Sequence, residues 1–488
     1  MYLFCDNLNQ MPIYNYYHWV SVSNAGLLKN ANLKLGAVTF LYGPNGSGKS
    51  TLLRGLNAFS ATLKSFLAGE ALTNQSTYFD EYSSEDKDLS VEVSYGKASS
   101  HERLVQSLVL TDEKKEELNL FLKHRGDTDG ELSVKIVRFH ETKKVTIGLF
   151  KKSELLFLID PLTGFLMSGP NIKIGNKNFP EHIQFECGGY IYNPKRNPKG
   201  CNFVKHKTNK SFREKSKDIE VIELFFSLTV NLLWHIREFV HVAPLRPILR
   251  TGDLFSLNEE RVPFTVDPQA ISITNSWLSD PEKFGLDQKI VDINYVSEIP
   301  SISSGKKADT QYRKFFIHDK KLGLNLPFDK VGTGISQIVP ILTSLFTPGE
   351  DLLYIEQPEV HLHPAMQATL MDAMLEAAIN NDKQIIIETH SETFLLRALR
   401  RIREGRFPKN MIPISHDLDH LDSYLKETPE NQSDRNIDSV MVYYFDNKCA
   451  DPGVKQTTVR QMRLDCQGRL IDDWPGGFFE EGVREVLM

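Results

Sequence analysis

Cysteine is scarce. Only five occur among 488 residues, at Cys5, Cys187, Cys201, Cys449 and Cys466, an odd number at long spacings. This excludes a disulfide framework and predicts reduced thiols in a cytoplasmic protein. No C-x-x-C pair exists, so Cys187 and Cys201 with His206 lack the paired ligands of a zinc site. Long apolar runs are also missing. The longest, around residues 221–240, is interrupted by Glu223, Asn231, His235, Arg237 and Glu238, which excludes a membrane span and predicts a buried or interface helix. The opening stretch MYLFCDNLNQMPIYNYY has no basic segment leading into an apolar one, so no signal peptide and no membrane contact are expected. Positive charge is not in excess: 57 Lys and Arg stand against 63 Asp and Glu, a net charge of −6. Any nucleic-acid contact must therefore come from a local patch and not from the global field. Sustained heptads and internal repeats are absent, which excludes an extended coiled coil and a solenoid.

What remains is a globular composition, 41% hydrophobic and 25% charged. The length corresponds to about two to four domain-sized units. Near the N-terminus, short strands over 19–22, 32–34 and 37–41 lead into a Gly-rich loop and then a helix from Lys49 to about Phe66, with Leu52, Leu53, Leu56, Phe59 and Leu63 on one face. Residues 74–160 read as an antiparallel β region, with strands at 89–95, 132–139, 145–150 and 155–159 and a helix near 112–123. A basic, turn-rich segment at 193–217 precedes a long amphipathic helix at 218–239. From Gly334 onward, strands and helices alternate at the spacing of a parallel sheet. The expected fold is α/β, with a head built from 1–160, which carries the Gly-rich loop and the β region, and 331–410. The region 161–330 forms an inserted basic and helical lid, and 411–488 a C-terminal tail.

The chemistry begins at Gly43-Pro-Asn-Gly-Ser-Gly48-Lys49-Ser50, a complete G-x-x-x-x-G-K-[ST] between a strand and a helix. Its glycines let backbone N–H groups turn inward around phosphates. Asn45, Gly46, Ser47, Gly48 and Thr51 would line the cradle, Lys49 would reach the β- and γ-phosphates, and Ser50 would place its hydroxyl on Mg²⁺. The apolar strand ending Ile355-Glu356-Gln357-Pro358-Glu359 supplies a carboxylate at the position where such proteins hold Mg²⁺, and Glu356 takes that role. Gln357 stands where a general base is usual; an amide orients water but accepts no proton, leaving Glu359 and His361 as substitutes. The strand Gln384–Glu388 delivers Thr389-His390-Ser391 to the edge where α/β sheets bind ligands, so His390 is the candidate γ-phosphate sensor. A loop of small residues, Val331-Gly-Thr-Gly334-Ile-Ser336-Gln337, opens a helix and resembles the signature loop of ABC ATPases; the resemblance implies that Gly334, Ser336 and Gln337 contact the γ-phosphate held by a partner subunit.

This arrangement resembles the ABC- and SMC-like ATPase heads, and most of all the OLD-like and RecF-like AAA-type ATPases of bacteria. The phrase Ile355-Glu-Gln-Pro-Glu-Val-His-Leu-His-Pro364 is similar to that group's I-E-x-P-E-x-x-L-H-P. Val242-Ala-Pro-Leu-Arg246-Pro is similar to its G-P-L-R region. Asp473-Trp474-Pro475-Gly-Gly-Phe478-Phe479-Glu480 is similar to a W-P-x-G-F-F-[DE]-E tail found in a subgroup. The resemblance implies ATP and Mg²⁺ as ligands and a head-to-tail dimer or higher oligomer sharing its sites across the interface; slow hydrolysis is expected from Gln357 in place of a general base. It also implies a separately encoded nuclease or toxin effector, in the setting of anti-phage defence.

Two other roles stay open at this point, a RecF-like ATPase that clamps DNA and an OLD-type nuclease. A built-in nuclease needs an acidic strand end before a D-x-D; Asp417-Leu-Asp419 has none convincing before it. DNA or another nucleic acid would meet residues 193–217, where Lys and Arg alternate with Phe203 and Phe212. The alternative there is a solvated loop or a dock for an acidic partner.

Overall fold

The computed structural model describes residues 17–68, 87–95, 132–139, 141, 145–151, 154–160, 165–168, 173–174, 177–178, 182–184, 239–244, 255–256, 267–286, 289–296, 312–320, 322–326, 330–348, 352–381, 383–405, 440–446, 457–465 and 468–475. The helix expected at 112–123, the basic segment 193–217 and residues 218–238 of the helix expected at 218–239 lie outside them; Phe239 opens a strand. The chain forms two compact units. One comprises Met1–Leu35, Pro44–Phe239 and Phe445–Arg460; the other comprises Gly36–Gly43, Val240–Tyr444 and Gln461–Met488.

The first unit is built on β1 (Tyr17–Ala25), β2 (Leu28–Lys34), β4 (Leu89–Tyr95), β5 (Leu132–Arg138), β6 (Val145–Lys151), β7 (Glu154–Asp160), β8 (Phe165–Ser168) and β11 (His182–Gln184). These pair in the order β11-β8-β7-β6-β5-β4-β1-β2, and neighbours run antiparallel. A two-residue pair, β9 (Lys173–Ile174) with β10 (Lys177–Asn178), stands apart. Alternation decides which face is buried. In β4, Leu89, Val91 and Val93 are buried while Glu92 is not, and it meets Lys135 of β5 at 3.4 Å. Helix α1 (Lys49–Ala68) lies on the buried face with Leu52, Leu53, Leu56, Phe59 and Leu63 inward. At Gly55 the approach is close: a Cβ there would stand 3.5 Å from the side chains of Val22 and Val91.

The second unit holds a sheet ordered β12-β17-β18-β3-β19-β20. Its strands are β3 (Val38–Tyr42), β12 (Phe239–Val242), β17 (Leu352–Glu356), β18 (Gln384–Glu388), β19 (Val440–Asp446) and β20 (Thr458–Met462). The central four, β17, β18, β3 and β19, are parallel. Strands covered on both faces are rich in apolar residues without alternation, as VTFLY, LLYI and the III of QIIIE are. Around them pack α3 (Thr333–Phe346), α4 (Pro364–Asn380) and α5 (Glu392–Arg403) in one apolar core. Helix α2 (Pro268–Ser279) joins it by stacking Trp277 on Phe346, ring centres 6.4 Å apart. A small antiparallel sheet of β13 (Phe255–Ser256), β14 (Lys289–Val296), β15 (Tyr312–Asp319) and β16 (Leu324–Leu326) completes the unit.

Among the elements absent from the sequence reading, two bear on the second unit's core. The signal for α2 is a cap: Asp267 accepts a hydrogen bond from the Ala270 N–H at 2.8 Å and Pro268 opens the helix. Strand β19, the run VMVYYFD, pairs with the strand preceding the Gly-rich loop, more than 390 residues earlier in the chain. Its partner is fixed by tertiary pairing, which periodicity does not report.

Candidate functional site

In the first unit the loop of residues 44–48 folds back over its own lysine. The Ser47 N–H donates to Pro44 O at 3.2 Å, and the Thr51 and Leu52 N–H groups donate to Gly48 O. Lys49 is 3% exposed; its Nζ donates to Pro44 O at 3.0 Å and to Ser47 Oγ at 3.4 Å. Asn45 and Gly46 form the exposed tip, while Ser50 and Thr51 are half-buried in the first turn of α1. Gly46 (φ +72°) and Gly48 (φ +91°) take conformations that an L side chain resists. A Cβ on Gly46 would find nothing within 4 Å, so the loop leaves open space there. The first turn of α1 carries no acidic residue, and its N–H groups and dipole favour an anion. Backbone donors, a restrained ammonium and an uncluttered helix start fit a polyphosphate.

In the second unit, strand register brings three ends to one edge: Glu356 pairs with Glu388, and Glu388 with Leu41 of β3. The Gly-rich loop leaves β3 at this edge. Glu356 is half-buried, and its Oε2 lies 3.6 Å from His241 Nε2 on β12. Sequence reasoning missed His241, because an isolated histidine in the run FVHV carries no motif. Tyr354 donates its hydroxyl to Glu388 Oε2 at 3.1 Å. Burial first, then the charges of Glu388 and Glu356, push the Tyr354 phenol well above its ordinary value, so it remains a neutral donor.

The turn after Glu356 is tightly specified. Gln357 (φ +42°) and His361 (φ +64°) are left-handed without being glycine. The Gln357 N–H donates to Glu388 O at 2.7 Å, and the Leu362 N–H to Glu359 O at 3.0 Å. Glu359 is engaged through both oxygens: Thr389 Oγ1 donates to Oε2 at 2.7 Å, and the His390 N–H donates to Oε1 at 2.9 Å. Thr389 Oγ1 in turn accepts from the Ser391 N–H at 2.9 Å. Ser391 donates its hydroxyl to Gln367 Oε1 at 2.6 Å, caps α5 through Thr393, and gives its carbonyl to the buried Tyr42 hydroxyl at 3.1 Å. Burial above all, then the charges of Glu359 and Glu392, raise the Tyr42 phenol well above its usual value.

The small-residue loop reaches the same turn. A Cβ on Gly334 would stand 3.3 Å from His361 O. Gly332 and Thr333 are exposed at the start of α3, whose N-cap, Gly332, has no side-chain hydrogen bond. Ser336 and Gln337 instead point inward, each 4% exposed, and the Ser336 hydroxyl donates to Thr333 O at 2.8 Å. The second unit thus gathers Gly334, Gln357, Glu359 and His390 around one turn, with Glu356 at its root. Residues 45–51 belong to the first unit.

Among the described residues, no group of three or more His, Cys, Asp or Glu side chains stands ready to hold a metal. A Mg²⁺ ion carried with a triphosphate needs no such cage, because phosphate oxygens and water fill most of its octahedron. Glu356 and Ser50 are oxygen donors of the kind it takes. No helix among the described residues is long and apolar enough to cross a membrane.

Comparison with known proteins agrees with this chemistry. The family described as "AAA domain, putative AbiEii toxin, Type IV TA system" matches residues 38–164 and 242–397, more than half of the chain. A second family, a protein of unknown function designated DUF3696, matches residues 436–487. An OLD nuclease from Thermus scotoductus is 36% identical over 91 residues, which is 17% of this chain and 17% of that protein. The match therefore spans well under two thirds of the relative. Among solved structures, an SMC head bound to the C-terminal winged-helix domain of ScpA aligns over 92% of this chain and 98% of its own, at 9% identity and a TM-score of 0.41. The SMC head domain from Thermotoga maritima aligns over 92% and 99%, at 9% identity and a TM-score of 0.36. At these scores the likeness is loose.

Proposed function

The chain belongs to this AAA-domain family, and on that premise we propose that it is a Mg²⁺-dependent ATPase of low turnover whose ATP-bound form dimerises. The observation that carries the reading is the loop of residues 44–48, with Lys49 buried and held by Pro44 O, and with open space at Gly46. Lys49 and the loop N–H groups would hold the β- and γ-phosphates; Ser50 and Glu356 would hold the metal, which would supply charge neutralisation at the phosphate oxygens. His390 senses the γ-phosphate. Gln357 orients the attacking water and cannot take its proton, which supports slow turnover. The exposed N-terminus of α3, with Gly332, Thr333 and Gly334, offers N–H groups to the γ-phosphate held by a second copy.

In this reading the protein is the sensor or regulatory subunit of a bacterial anti-phage system, acting with a separately encoded nuclease or toxin. The likeness to an OLD nuclease and the family's description as a toxin of a toxin–antitoxin system both support such a setting. Lys49→Ala should abolish binding of a fluorescent ATP analogue and ATP-dependent dimerisation measured by light scattering. Unchanged binding would refute the site. Co-purification with products of neighbouring genes, followed by nuclease assays with and without ATP, tests the effector. Cleavage of DNA by the purified chain alone would favour an OLD-type nuclease, and ATP-dependent DNA retention without cleavage a RecF-like clamp.

A further inference from the structure

Glu359 looks at first like the proton acceptor that Gln357 cannot be. The geometry points to a different role: we infer that Glu359 is a positioning residue, which ties the turn after the acidic strand to the Thr389–His390 pair and sets where the histidine stands. The inference rests on the ATPase reading above and deepens it.

Two short hydrogen bonds commit the carboxylate. Oε2 takes the Thr389 hydroxyl at 2.7 Å and Oε1 takes the His390 N–H at 2.9 Å. A carboxylate offers about four lone-pair sites, and here each oxygen gives one of them to a donor of the Thr389–His390 segment, so the group is oriented by that segment. The bonds join segments some thirty residues apart in sequence. They fix the backbone on both sides of the His390 Cα, because the Thr389 oxygen that donates to Glu359 also accepts the Ser391 N–H.

The other side of the turn is equally constrained. Left-handed Gln357 and His361 are sparsely populated conformations that persist only where surroundings over-determine them. Here the Gln357 N–H bond to Glu388 O and the close packing of His361 O on Gly334 do so. The turn therefore touches both the sensor histidine and the start of α3. A displacement of His390 on meeting a γ-phosphate would be passed through Glu359 to the turn, and from His361 to Gly334, the segment offered to a second copy.

Removing a base and removing a brace have different signatures. Glu359→Gln keeps an oxygen to accept the His390 N–H and an amide that can donate to the Thr389 oxygen, so a brace survives and a base does not. Expected results are that Glu359→Gln stays within about threefold of wild-type kcat, whereas Glu359→Ala loses about tenfold or more. The Glu359→Ala/His390→Ala double variant should be no slower than His390→Ala, because the two residues act in series. Amide hydrogen exchange on the nucleotide-free protein reads the brace directly: protection at His390 and Ser391 should fall about tenfold or more in Glu359→Ala and be retained in Glu359→Gln. The inference is overturned if Glu359→Gln is as inactive as Glu359→Ala, if the double variant multiplies the single losses, or if exchange at His390 is unchanged in Glu359→Ala. Lys49→Ala separates the two levels. If wild type and Lys49→Ala bind ATP alike, the ATPase reading fails, while hydrogen exchange still decides whether Glu359 holds the histidine.

Discussion

Gly46 and Gly48 sit two residues apart in the same loop, both at positive φ, yet an added methyl group should have very different consequences. At Gly46 (φ +72°) a Cβ meets nothing within 4 Å. The cost of Gly46→Ala is then the backbone term alone, about 1–2 kcal/mol. At Gly48 (φ +91°) the same Cβ would stand 3.2 Å from Leu28 Cδ2 and 3.4 Å from both Leu28 Cγ and Thr457 Oγ1. Leu28 and Thr457 are themselves fixed: both are buried, they form an isolated parallel bridge, and the Thr457 N–H donates to Leu27 O at 3.1 Å. Gly48→Ala adds overpacking of about 1–3 kcal/mol to a backbone strain of about 1–3 kcal/mol. Urea melts of nucleotide-free protein should therefore show Gly48→Ala less stable than Gly46→Ala by about 1–3 kcal/mol. ATP affinity should follow a different pattern, because the Gly46 methyl would occupy the open space at the loop tip: Gly46→Ala should lose about tenfold or more in affinity despite its smaller effect on folding. Equal destabilisation by the two substitutions would refute the packing argument. Unchanged ATP affinity in Gly46→Ala would refute the assignment of that space to phosphate.

Gln357→Glu should raise steady-state ATP turnover with little change in KM, since it restores a proton acceptor where the amide only orients water; no change would show that the proton leaves by another route. Asp372 on α4 takes Arg397 and Arg401 of α5, each at 2.6 Å. Burial opposes ionisation, but the hydrogen bonds from Arg401 and Arg397 outweigh it and hold the carboxyl below its ordinary value. A depressed pKa stabilises the fold above the unfolded value and is lost as pH falls through the folded one. Asp372→Asn should thus cost stability at pH 7, by about 1–2 kcal/mol after allowing for solvent screening of these partly exposed groups, and the gap to wild type should close below about pH 4. Trp474 sets its ring edge-on to Tyr42 and Tyr444, with centres 5.5 Å and 6.4 Å apart. Trp474→Ala should lower the melting temperature by several degrees, from a loss of about 2–4 kcal/mol, with Trp474→Phe recovering part of it. A variant as stable as wild type would show that the aromatic contact does not form in solution.

The sequence by itself determined the local chemistry. G-x-x-x-x-G-K-S between an apolar strand and an amphipathic helix is legible as a candidate phosphate loop, because glycine freedom, a lysine and a helix start are properties of neighbours in the chain. The apolar runs 352–355 and 384–387 likewise announced buried parallel strands, and Glu356 and His390 follow at or just beyond the strand ends. Tertiary structure decided the rest. Strand β19 joins β3 across nearly the whole length of the chain, His241 comes to Glu356 from an edge strand, and Ser336 and Gln337 turn inward while Gly332 and Thr333 stay exposed. Above all, tertiary structure put both oxygens of Glu359 on donors of the Thr389–His390 segment. From the sequence alone, Glu359 reads as a spare base three residues after Glu356. Which atoms its two oxygens meet depends on a strand some thirty residues further on, and hydrogen bonds between distant segments leave no period or spacing in the sequence from which they could be read.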